Sequence, residues 1–410
     1  LPAIGIQQAA PPSRLPVAHP SENSSAVNAS TATSAARPQG WKLAWRLPLH
    51  WLWNVIRSVV ISLTVLGLLL LRPLKFLYPL FPRGLRETLR AWDYHMLWTT
   101  LRSFGRRIYV DQPCTLRDPP SYEPRVQTDP RYALSAADIR KFYEQGFLGP
   151  FDAFTPEEVA SFREEVRQVI HSPSQVYGFV TGRDRHLDSP VLDRIMRHPA
   201  MVERLAQILG PDLMVWRSQV FEKAGGSREI AWHQGTTFLM EMVYKPALEP
   251  PDINELFEVA IWLAIDDATR ENGCIQFVPG SHRRIGTVLL TGSEAFHGAR
   301  IRPEYRIDPR DVVTPECRAG QFLIFSERAI HGSPPNDSRR SRMAFVYRAL
   351  RPDVRVYRGE KRHRVAYYKQ WFDLEKWGAV MLRGEDRYGI NKFVAPPSAS
   401  AAPPKKMATT

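Results

Sequence analysis

Cysteine is scarce, with only Cys114, Cys274 and Cys317 in 410 residues. An odd number at such wide spacing excludes a disulfide framework and a CxxC zinc module, so folding needs no oxidising compartment. Acidic residues are also in deficit, 42 against 55 Lys and Arg, for a formal charge of +13. That imbalance favours an anionic partner: a membrane surface, nucleic acid, or a phosphate- or sulfate-bearing substrate. No nucleic-acid recognition motif accompanies it, so no specific nucleic acid is expected. Internal repeats are missing, which excludes a solenoid.

What remains is ordinary globular material, 44% hydrophobic and 24% charged, enough for one large catalytic domain or two smaller ones. Residues 1–40 are rich in Ser, Ala and Pro with Glu22 as the single acid, the composition of a disordered arm or targeting segment. Residues 41–82 read as a hydrophobic membrane anchor centred on WLWNVIRSVVISLTVLGLLLL at 51–71. Trp41, Trp45, Trp51 and Trp53 before it and Tyr78 after it resemble interfacial aromatic belts. Arg72, Lys75, Arg83, Arg86 and Arg90 follow, which by the positive-inside rule leaves the C-terminal part cytosolic and the protein membrane-associated. A buried or interfacial helix is the competing reading, given the prolines at Pro73, Pro79 and Pro82. A connector at 83–130, a catalytic domain at 131–375 and a C-terminal extension with a mobile tail at 376–410 complete the expected organisation.

Ser135 and Thr155 are candidate N-caps of two helices, the first stopped by Gly146. From about residue 212 the hydrophobic period shifts toward two. Strands are expected at Leu213–Lys223, Ile230–Phe238, Phe257–Ile265, Cys274–Val278, Gln321–Ser326 and Met343–Leu350. Short strands behind leading helices predict a mainly β fold with flanking helices, a double-sheet jelly roll rather than a parallel α/β sheet.

Of 11 histidines, His50, His95, His171, His186, His198 and His363 lie in charged or helical contexts that suit solvent exposure. His233, His282 and His331 fall in the strand-rich half. The order His233-Gln234-Gly235, Glu271-Asn272-Gly273-Cys274, Val278-Pro279-Gly280-Ser281-His282, Gly320-Gln321, His331-Gly332-Ser333 and Arg342 resembles the phytanoyl-CoA dioxygenase (PhyH) family over roughly 135–350. The resemblance implies a double-stranded β-helix (cupin-like) core using Fe(II), 2-oxoglutarate and O2. It further implies His233 and His331 as metal ligands, and Arg342 with Ser333 as binders of the distal 2-oxoglutarate carboxylate. His282, in the turn after a strand, reads as structural.

One departure matters. The family motif is His-x-Asp, whereas here the third position is Gly235, which offers no ligating side chain. Fe²⁺, a 2-oxoglutarate dianion and an aspartate carry one net negative charge. Without the aspartate, a small monoanion restores both the charge and the ligand, and chloride fits. Gly or Ala at this position is the pattern of Fe(II)/2-oxoglutarate halogenases, so Gly235 marks an expected halide site and the chlorination of an aliphatic C–H. The alternatives are a hydroxylase completed by water, Glu229 or Glu241, and a binding protein whose iron site has decayed. Backbone N–H groups near Gly235, the Thr236 or Thr237 hydroxyl and the Trp262 indole are candidate halide donors. The anchor suggests a lipophilic or acyl-chain substrate, with a carrier-tethered acyl group as the variant.

Overall fold

The computed structural model describes residues 46–82, 114–234, 247–285 and 307–357, with shorter stretches at 85–86, 89, 94–102, 104, 289–290, 299–300, 364–367 and 370–397. The chain divides into two compact units, 1–54 and 55–410, and both β-sheets described below belong to the second.

The principal helices are α1 (Arg46–Leu71), α2 (Ala136–Gln145), α3 (Pro156–His171), α4 (Pro190–Met196) and α5 (Pro199–Leu209). Both expected N-caps close capping boxes. Ser135 accepts from Asp138 N–H and Thr155 from Glu158 N–H, while each acid reaches back to its cap residue. Gly146 ends α2 in the left-handed region at φ 90°, and a Cβ there would meet His282 Nδ1 at 2.6 Å.

Nine strands build the core: β1 (Phe147–Asp152), β2 (Leu213–Lys223), β3 (Ile230–Gln234), β4 (Glu258–Ala264), β5 (Gln276–Val278), β6 (Gln321–Phe325), β7 (Ile330–Ser333), β8 (Arg342–Leu350) and β9 (Val380–Arg383). They form a six-stranded antiparallel sheet, β9-β2-β8-β4-β6-β1, and a three-stranded antiparallel sheet, β3-β7-β5. The mainly β architecture with flanking helices is therefore as expected. The domain edge at 375 is not, since β9 pairs with β2 as an edge strand of the large sheet.

The pleat sorts the side chains. On β8, Met343, Phe345, Tyr347 and Ala349 pack with Ile261 and Leu263 of β4 against apolar residues of α2–α5, including Phe142, Val166, Leu192 and Leu205. The opposite face presents Ala344 and Val346, with Ala260, Trp262, Leu323 and Phe325, to Phe277 of the small sheet. Fully burying each such aliphatic or aromatic side chain contributes roughly 1.5–3 kcal/mol. This second, sheet-to-sheet interior is where the unusual polar residues lie.

Among the described residues no helix is long and apolar enough to cross a membrane. The uncharged run at 58–71 makes about 21 Å of helix, short of the ~30 Å hydrocarbon core. The spanning form of the expected anchor is therefore not found. One face of α1 is packed, with Val65 and Leu68 buried, while Val55, Ile56, Val59, Val60, Leu63, Leu66 and Leu70 are exposed. Within residues 83–130, expected as a connector lying against the membrane or the domain, Leu116 packs into the core and Arg125 N–H donates to Gln207 C=O at 2.9 Å.

Candidate functional site

His233 on β3 and His331 on β7 stand directly opposite each other in the antiparallel register. Their ring centroids are 4.2 Å apart. The Nδ1 of each bonds to the backbone carbonyl two residues upstream, His233 to Ala231 and His331 to Ala329, at 2.8 Å in both cases. A carbonyl oxygen only accepts, so Nδ1 carries the proton and Nε2 keeps its lone pair. Phe325 lies 5.3 Å from the His331 ring. Burial, then the neighbouring imidazole, pushes the His233 pKa down to about 3, and burial holds His331 at about 4. Both rings are neutral near pH 7, the state a metal requires.

Ser333 lies two residues beyond His331 on the same face. Lys223 Nζ donates to Ser333 Oγ at 2.6 Å, and Ser333 Oγ donates to Gly273 C=O at 2.9 Å. Arg342, at the first position of β8, is the Cα partner of Lys223 on β2. Its Nη2 donates to the same Gly273 carbonyl, and its guanidinium lies 5.3 Å from the Trp262 ring centroid. The Arg342 Nε is buried with no acceptor among the described residues. Burial, then the positive charge of Arg342, lowers the Lys223 pKa to about 8, and burial lowers Arg342 to about 10. Neither cation has a carboxylate within ion-pair distance among the described residues. Two buried cations, an orphaned N–H and a hydroxyl fit an anionic carboxylate well, and only poorly an empty interior.

The sequence marked Arg342 and Ser333, and the structure brings them together. It did not mark Lys223, because a lysine closing a strand reads as an edge charge. The signal that finds it is the cross-strand register.

Gly235 lies outside the described residues, as do Thr236, Thr237 and Glu241. Among the described residues no group of three His, Cys, Asp or Glu could hold a metal. Glu229 is exposed. Trp262 flanks the Arg342 guanidinium. His282 is structural, as expected: it is fully buried and its Nε2 donates to Tyr143 C=O at 2.9 Å. The expected exposure of His186 is corrected. It is fully buried and bonds through Nδ1 to Ser218 Oγ at 2.7 Å, because the 3-10 turn at Arg185–Leu187 packs onto β2.

A second polar group lies in the same interior on the other side of the imidazoles. Glu327, four residues before His331, holds the Arg348 guanidinium at 3.1 and 3.2 Å. Glu258, at the start of β4, accepts from Trp216 Nε1 at 2.8 Å. Nothing in the sequence singled out these residues.

Comparison with known proteins gives these features a context. Residues 142–344 match the family model of phytanoyl-CoA dioxygenase (PhyH). An ectoine dioxygenase of Bordetella parapertussis is 27% identical over 243 residues, spanning 53% of this chain and 76% of its own. A phytanoyl-CoA dioxygenase domain-containing protein 1 homolog of Dictyostelium discoideum is 25% identical over 248 residues, spanning 60% and 78%. Among solved structures, CytC3 superposes with a TM-score of 0.52 at 27% identity, covering 65% of this chain and 95% of that one, and is also solved with Fe(II) and alpha-ketoglutarate. The histidine pair and its cationic neighbours thus sit in a domain of the phytanoyl-CoA dioxygenase family, to which residues 142–344 of this chain belong.

Proposed function

We propose that this chain is an Fe(II)/2-oxoglutarate-dependent enzyme that chlorinates an unactivated aliphatic C–H of a lipophilic or acyl-chain substrate. The observation that carries the cofactor reading is the pair of buried cations, Lys223 and Arg342, beside two Nδ1-protonated imidazoles. In this reading His233 and His331 ligate the metal through Nε2. Arg342, Lys223 and Ser333 hold the distal carboxylate of 2-oxoglutarate. Bound iron with 2-oxoglutarate and O2 supplies the oxidant that abstracts hydrogen from an unactivated carbon. The protein orients these groups, neutralises the dianion and keeps water out.

Halogenation rests on Gly235, which leaves the metal one ligand and one negative charge short. A hydroxylase using Glu241 is the second reading. Turnover that requires chloride and yields products with the chlorine isotope pair supports halogenation. Chloride-independent oxygenation, with products heavier by one oxygen, selects the hydroxylase. Gly235→Asp is expected to abolish chlorination, and a variant that chlorinates at the original rate refutes the vacancy argument.

The exposed stripe of α1, continued by exposed Phe76 and Leu80 beside Lys75, suggests attachment at a membrane surface with the catalytic unit cytosolic. Flotation with anionic vesicles, lost on Leu63→Glu/Leu70→Glu, tests it.

A further inference from the structure

The polar group beyond the imidazoles has an order along the interior. Glu327, His331 and Ser333 succeed one another on one segment. Glu327 meets Arg348, and Ser333 meets Lys223. On β8 the residues matching these ends, Arg348 and Arg342, are six positions apart, about 20 Å of strand. On β4 the same face carries Trp262 near Arg342 and Glu258 four positions, about 13 Å, away. The imidazoles lie between the two ends. A 2-oxoglutarate reaching from the metal to Lys223, Arg342 and Ser333 fills one end. The other end is left for the substrate, and there Arg217 of β2 is the register partner of Arg348.

Glu258 is the odd residue there. It is 4% exposed, one carboxyl oxygen is held by the Trp216 indole, and the other, Oε2, is buried with no partner among the described residues. A buried unsatisfied oxygen costs about 1–3 kcal/mol, so its retention calls for a ligand. We propose that Glu258 is a specificity-determining substrate residue, whose Oε2 donates a hydrogen bond to an uncharged oxygen of the substrate, such as an amide, ester or thioester carbonyl. The charge state agrees: burial, then the negative charge of Glu327, pushes the Glu258 pKa up to about 8, so at neutral pH it carries the proton that makes it a donor. Glu327 is committed to Arg348 and leaves Glu258 as the group that discriminates.

Only the choice of which end the substrate takes rests on the 2-oxoglutarate reading, and the halide plays no part in it. The test uses the full chain with Zn(II) and 2-oxoglutarate, and calorimetry with three probes of one chain length: N-methylhexanamide, hexanoate and N-methylhexylamine. The amide is expected to bind the wild type at least about tenfold tighter than either charged probe. Glu258→Gln keeps a donor and should hold the amide within about threefold, whereas Glu258→Leu should lose about tenfold. An infrared band of the protonated carboxyl, missing from Glu258→Gln, should shift when the amide binds. Tightest binding of the amine overturns the proposal, because Glu258 would then act as a carboxylate. Tightest binding of hexanoate, no binding of any probe, or unchanged amide affinity in Glu258→Leu also overturns it. Should that variant fail to fold, the wild-type ranking and the Gln variant decide. Binding of 2-oxoglutarate, measured alongside, separates the outcomes: its loss sinks the cofactor reading, and its retention without an amide preference sinks the assignment of Glu258 alone.

Discussion

Replacing Lys223 with methionine should make the cofactor-free protein more stable and its binding of 2-oxoglutarate weaker. Lys223 is 7% exposed, and its ammonium sits across the strand register from the Arg342 guanidinium, with Ser333 Oγ as its hydrogen-bond partner. Lowering its pKa from 10.5 to about 8 corresponds to roughly 3 kcal/mol of penalty on the charged form. The unfolded chain binds this proton more tightly than the folded one. Stability should therefore rise as pH climbs from about 8 toward 10.5, and at pH 7 the full penalty is present. Methionine removes it, so melting of the apoprotein at pH 7 should shift upward.

Binding runs the other way. The distal carboxylate loses one charge-assisted hydrogen bond, about 1.5–3 kcal/mol, or roughly ten- to hundredfold in affinity. In the wild type, binding above pH 8 must also take up a proton on Lys223, so the dissociation constant should rise about tenfold between pH 7 and pH 9. In Lys223→Met that slope should vanish. Calorimetry with Zn(II) in place of iron measures both without turnover. Wild-type affinity in Lys223→Met, or a wild-type constant that stays flat from pH 7 to pH 9, refutes the assignment of this lysine to the carboxylate.

The geometry makes three further outcomes testable. His233→Ala or His331→Ala should each weaken Co(II) binding by roughly a hundredfold or more, read from the visible absorption of the metal, with the fold retained by circular dichroism. Gly320→Ala should destabilise the domain by roughly 2–4 kcal/mol in urea unfolding, because φ is +87° and a Cβ would meet the Phe154 carbonyl oxygen at 2.1 Å. Burial lowers the His282 pKa from 6.5 to about 4, so its contribution is intact above pH 6.5 and is lost as pH falls toward 4. His282→Asn should flatten that part of the stability profile, measured by chemical denaturation between pH 7 and pH 4.5.

The elements that were legible in the sequence are those whose signals are local. Ser135 with Asp138 and Thr155 with Glu158 announce helix starts within four residues, and Gly146 supplies a stop that needs φ 90°. β2 was expected at Leu213–Lys223 and is found there. β7 was not among the strands read from the hydrophobic period, because Ile-His-Gly-Ser holds one aliphatic residue and acquires strand geometry by pairing with β3 and β5. α4 and α5 were missed where Pro190, Pro199 and neighbouring charges look like loop punctuation, although both prolines occupy the first helical turn, where no N–H is needed.

The site divides along the same line. His233, His331, Ser333 and Arg342 could be named because motif spacing along the chain marks them. Lys223 and Glu258 could not, because each is defined by what lies across from it: Arg342 in one case, Trp216 and an empty hydrogen-bonding position in the other. β4, where Glu258 sits, is buried at every position, so the alternation that would betray an inward-facing acid is erased. A buried acid on such a strand is costly wherever it points. Its placement in the one interior that also holds the imidazoles therefore carries more functional information than its place in the sequence, and the same reasoning links Lys223 to the far end of that interior.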